Sequence, residues 1–77
     1  MMKIEVLGTG CKKCKELYAR TLEAVKAEGV EAEVIKEEDI VKIMEAGLMS
    51  TPGLRIDGKV VSYGKVPKVE EIRGYLK

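Results

Sequence analysis

Cys11-Lys12-Lys13-Cys14 holds the only two cysteines of the chain. Residues 2–7 ahead of it read as a strand, with Gly8-Thr9-Gly10 as a flexible hinge between strand and first cysteine. After it, Leu17, Tyr18, Leu22 and Val25 recur at three- and four-residue spacing, the period of a helix. Two thiols one turn apart at a helix N-terminus suit redox chemistry. Unpaired backbone N–H groups and the positive end of the helix dipole stabilise a thiolate there. Residues i and i+3 of a helix lie about 5 Å apart at Cα, within the span a disulfide tolerates.

Other uses of the pair are constrained by chemistry. A bridge closing so small a loop removes little entropy from the unfolded chain, so a purely structural disulfide is not expected. A zinc site normally takes two further Cys or His ligands, and the chain has no histidine and no third cysteine. Redox catalysis, a two-coordinate soft metal such as Cu(I), and a metal shared across a dimer remain open. A CxxC beside a βαβ pattern in a cytosolic protein favours the first.

Length and charge bound the rest. A chain of 77 residues makes one domain, residues 1–77, that buries roughly 60–65% of its unfolded surface. A net charge of +1 gives no long-range field for nucleic acid or an anionic membrane. No basic-then-apolar leader and no apolar run of membrane-spanning length is present. A cytoplasmic monomer is expected, its cysteines reduced or cycling. Asn, Gln, His, Phe and Trp are absent while Lys and Glu abound, the compositional trend of thermophiles.

The elements that position the cysteines follow in order. The first helix, α1, spans about 11–28, with Gly29 as a left-handed stop. Residues 30–35 alternate apolar and charged side chains, a half-buried strand β2. Glu37-Glu38-Asp39 makes an acidic start for a helix α2 ending near Gly47, with Ile40, Ile43 and Met44 as its buried side. Strands β3 (53–56) and β4 (59–63) are joined by Asp57-Gly58, the dipeptide of a tight hairpin. Pro67 is suited to the first position of a last helix, α3, with Val69, Ile72 and Leu76 inward. With the first strand as β1, a parallel right-handed β-α-β unit and an antiparallel hairpin give one mixed four-stranded α/β sheet. Its expected order is β2-β1-β3-β4, with α1 and α3 on one face and α2 on the other.

Gly8 to Cys14 resembles the CxxC loop of the ferredoxin-like metallochaperones, but those run β-α-β-β-α-β and end on a strand. The β-α-β-α-β-β-α order here, with CxxC after the first strand and Thr51-Pro52 before the third, resembles the thioredoxin/glutaredoxin superfamily. It looks most like the short glutaredoxin-like thioredoxins, or redox-active disulfide proteins, of archaea and bacteria, over essentially the whole chain. The resemblance implies a cis Pro52 facing the CxxC, and Thr51 and Pro52 receiving the substrate backbone. Unlike ordinary thioredoxins, this chain has Gly10 in place of the tryptophan and Lys12-Lys13 in place of Gly-Pro. Tyr63-Gly64-Lys65 stands where glutaredoxins carry a Gly-Gly pair for glutathione, so protein disulfides are the expected substrate.

In that setting Cys11, at the helix tip, is the attacking thiolate. Cys14, sharing a face with Leu17, Tyr18 and Val25, is the shielded thiol that resolves the mixed disulfide, the asymmetry thiol–disulfide exchange requires. Lys12 and Lys13 either favour the thiolate or form a solvated first turn. Tyr18 is expected in the core or half-exposed, and Gly64 either admits close backbone approach or ends a strand. The redox-active Cys11–Cys14 disulfide would serve without a further cofactor or resident metal. An electron donor of the thioredoxin-reductase type would keep it reduced. The alternative is a non-catalytic carrier of Cu(I) or a redox-sensing module using the same two thiols.

Overall fold

The computed structural model describes residues 2–10, 12–47 and 50–76. Strand β1, Met2–Leu7, runs down the middle of the sheet. Being flanked on both sides, it is buried from Ile4 through Leu7, including the charged Glu5. It pairs in parallel with β2, Ala32–Glu37, and antiparallel with β3, Gly53–Ile56, which pairs antiparallel with β4, Lys59–Tyr63. The order is β2-β1-β3-β4, as expected. At the hairpin Asp57 and Gly58 both take positive φ, 49° and 85°, the geometry that matches the twist of the strands it joins. The Asp57 carboxylate accepts the Lys3 N–H at 2.8 Å, which pins the hairpin tip to the start of β1.

Helix α1, Lys12–Glu28, buries Cys14, Leu17, Thr21 and Ala24, a stripe at three- and four-residue spacing. The Thr21 hydroxyl donates to the Leu17 carbonyl at 2.7 Å, so burial leaves it satisfied. Leu17 and Ala24 pack with Ile4, Val6, Leu54 and Ile56 of the sheet and with Ile72 and Leu76 of the C-terminal segment. Helix α3, Val69–Tyr75, and the segment that leads into it are each fastened to α1. Arg20 donates to the carbonyls of Val66 and Pro67, each at 3.3 Å, and Arg73 donates to Glu28 at 2.8 Å. Helix α2, Ile40–Glu45, lies on the opposite face, capped by the Asp39 carboxylate accepting the Val41 N–H at 2.9 Å.

Several sequence expectations are corrected. Strand β2 begins at Ala32 and ends at Glu37, because pairing with β1 decides its limits; the Gly8 N–H still donates to the Glu37 carbonyl at 2.9 Å. Of the acidic trio only Asp39 caps α2. In that six-residue helix Ile43 alone is buried, while Ile40 and Met44 are 59% and 70% exposed. Leu22 is likewise exposed, since the buried stripe of α1 runs through Thr21 and Ala24 instead. Pro67 is fully buried but precedes α3, whose N-cap is Lys68. Its carbonyl is engaged by Arg20 rather than opening a helix.

Candidate functional site

Gly8 follows β1 directly, and both Cys14 and the backbone of Pro52 come within 4 Å of a Cβ built on it. Cys14 is 5% exposed in the first turns of α1. Its side chain lies against the backbone of Gly8. A Cβ built on Gly8 would fall 2.3 Å from the Cys14 Sγ and 3.1 Å from its Cβ, with the Pro52 Cα 3.8 Å away. Gly8 is therefore a packing position and not the hinge expected from the sequence: it is buried and hydrogen-bonded to β2. Only Gly10 of that segment takes a positive φ, 85°.

The Thr51–Pro52 peptide bond is cis. Pro52 is fully buried and Thr51 exposed. The loop is held from the residue after β4, the Gly64 N–H donating to the Pro52 carbonyl at 2.9 Å. A Cβ at Gly64, whose φ is +73°, would meet the Ser50 hydroxyl at 3.2 Å, so the two segments approach closely there. The expected nucleophile Cys11 lies outside the described residues. Lys12 and Lys13 are exposed in the opening turn of α1, which carries no acidic side chain.

On the β2 side, a cavity of about 280 Å³ opens against Cys14, bounded by Gly8, Gly10, Lys15, Lys36 and Glu38. The Lys36 ammonium sits 4.5 Å from the centre of the Tyr18 ring, within cation–π range. Tyr18 is half-buried against the core, so it anchors a side chain lining this cavity. Sequence reasoning passed over Lys15, read Gly8 as a hinge, and gave no role at the site to Lys36 or to Glu38, which it placed only in the acidic start of α2. The last two are separated from the cysteines by a helix and a strand, and only the parallel β1–β2 register brings them here. Among the described residues, no group of three or more His, Cys, Asp or Glu side chains is arranged to hold a metal ion.

One charged pair is built into the sheet next to this junction. Glu5 and Arg55 are opposed across β1 and β3. Arg55 Nε donates to one Glu5 oxygen at 3.0 Å and Nη2 to the other at 2.6 Å. These hydrogen bonds hold the Glu5 carboxyl below the usual carboxylate range, against the opposing effect of burial.

The thioredoxin domain family matches residues 2–77. A thioredoxin of Methanothermobacter thermautotrophicus is 45% identical over 76 residues, covering 99% of each chain. A thioredoxin of Methanocaldococcus jannaschii is 42% identical over 77 residues, covering 100% of this chain and 88% of that protein.

Proposed function

This chain belongs to the thioredoxin domain family, and from that premise we propose that it reduces protein disulfides through a reversible Cys11–Cys14 dithiol. The Cys11 thiolate attacks one sulfur of the client disulfide, forming a mixed disulfide and releasing the first client thiolate. Cys14 then gives its thiol proton to water and, as the thiolate, attacks the Cys11 sulfur. The Cys11–Cys14 bond forms, the bond to the client breaks, and the second client sulfur leaves as a thiolate that takes a proton from water. The client gains two electrons and the protein dithiol loses them. Re-reduction falls to a donor of the thioredoxin-reductase type, and the cytoplasm is the compartment that keeps such a pair cycling.

The observation that carries this reading is the placement of Cys14, buried in the first turn of α1 with its sulfur against Gly8, which also lies close to the Pro52 backbone. A thiol shielded in this way is protected from solution disulfides, which suits the resolving role. Thr51 and Pro52 precede β3, where an extended client segment would run. Lys12 and Lys13 raise the positive potential at the helix terminus and favour the Cys11 thiolate.

Turnover of insulin disulfides by dithiothreitol tests the proposal. Acceleration by the wild type, lost in Cys11→Ser, supports it. No acceleration, together with tight stoichiometric binding of Cu(I), would establish the soft-metal carrier instead.

A further inference from the structure

We propose that Gly8 is a positioning residue for the resolving step, its missing side chain being the space the Cys14 sulfur occupies. The inference deepens the disulfide-exchange reading and rests on it for its kinetic consequence. Its structural premise is separate. Gly8 is a glycine for which backbone conformation supplies no reason: it is absent from the positive-φ glycines, which include Gly10, Gly29, Gly47, Gly58 and Gly64. It continues the β1–β2 ladder through its N–H, and any residue but proline makes that bond. What sets the position apart is the neighbour. A Cβ there would sit 2.3 Å from the Cys14 Sγ, and ordinary contact begins near 3.4 Å. With a side chain at position 8, the sulfur or the end of β1 would have to move by about 1 Å.

The end of β1 cannot move freely. The β1 end is fixed between Glu37 of β2 and the β3 register, in which Leu7 is paired with Gly53. The added atom would also lie 3.8 Å from the Pro52 Cα. The displaced group is therefore the Cys14 side chain. Attack of Cys14 on the Cys11 sulfur needs the reacting atoms aligned, and a misplacement of about 1 Å is enough to slow such a step about a hundredfold. The first step, attack by Cys11 on the client, uses a different sulfur and is unaffected. Gly8 thus acts on one half-reaction and not on the other.

The test has a kinetic and a thermodynamic arm, both on the full chain. In Gly8→Ala the Cys11 thiol should react with iodoacetamide at the wild-type rate. The mixed disulfide formed with a model peptide disulfide should resolve about a hundredfold more slowly and accumulate on mass spectrometry. Resolution at the wild-type rate overturns the inference while leaving disulfide exchange intact. The second arm needs no redox activity. The drop in denaturation midpoint caused by Gly8→Ala should be at least halved in a Cys14→Ala background, where the sulfur is gone and the 3.1 Å contact with the position-14 Cβ and the 3.8 Å contact with the Pro52 Cα remain. An equal drop in both backgrounds overturns the inference. If Gly8→Ala does not fold, the double variant should; failure of both overturns it too. Absence of exchange in the wild type would refute the functional reading alone, and the midpoint comparison would still decide the contact.

Discussion

Glu5 and Arg55, fifty positions apart in the chain, face each other across the two central strands and share two hydrogen bonds of 3.0 and 2.6 Å. The pair ties β1, which delivers the chain to the cysteine motif, to β3, which begins beside Pro52. Removing one partner strands the other: Arg55→Met should destabilise the fold by about 2–3 kcal/mol, between the values for exposed and fully buried pairs. Glu5→Leu combined with Arg55→Met should recover most of that loss, because no charge is left without its partner. Urea unfolding of the wild type, the single and the double variant checks this. A double variant as unstable as the single one would refute the assignment.

The same pair predicts a pH dependence. The Glu5 carboxyl titrates below its unfolded-state value, chiefly through its hydrogen bonds to Arg55. A depressed carboxylate contributes stability above the unfolded pKa and loses it as pH falls through the folded one. Relative to Glu5→Gln, the wild type should therefore lose stability on acidification below about pH 4.5, the ordinary Glu value. Parallel stability–pH curves for the two proteins would contradict it.

In α2 the buried contribution is confined to one side chain. Ile43→Ala should cost roughly 2–4 kcal/mol. Ile40→Ala and Met44→Ala should stay within about 0.5 kcal/mol of the wild type, as exposed positions do. Comparable losses at all three positions would mean that α2 packs on the face expected from its sequence.

Arg20 closes the gap between α1 and the segment leading into α3 by donating to two carbonyls. Arg20→Met keeps the aliphatic stem and removes the donors, and should cost roughly 1–2 kcal/mol without changing the reduction potential. A shifted potential would show that the α3 segment communicates with the cysteine pair.

Much of the frame was legible from local chemistry. The limits of β3 and β4 follow from an Asp-Gly turn between alternating runs, and the sheet order follows from one parallel crossover and one hairpin. The misplaced boundaries are those set by distant partners. Strand β2 extends to Glu37 because Gly8 still donates to it, and Pro67 stays outside α3 because it is packed in the core and bonded to Arg20. Met44 looked inward on periodicity alone, yet a helix of six residues offers the sheet little more than one side chain. At the site, the CxxC spacing and Thr51-Pro52 stood out in the sequence, whereas Gly8 read as a hinge. Two glycines separated by a single threonine signal flexibility, and only the fold reveals that the Cys14 sulfur occupies the space beside Gly8.

The central claim is a division of labour between the two cysteines, and trapping tests it most directly. Cys14→Ser should be incubated with a model peptide disulfide and the adduct located by peptide mapping and mass spectrometry. The account predicts a stable mixed disulfide at Cys11, with no such adduct at position 14 when Cys11→Ser is treated in the same way. A mixed disulfide forming at Cys14 in Cys11→Ser, or no covalent adduct in either variant, would contradict it.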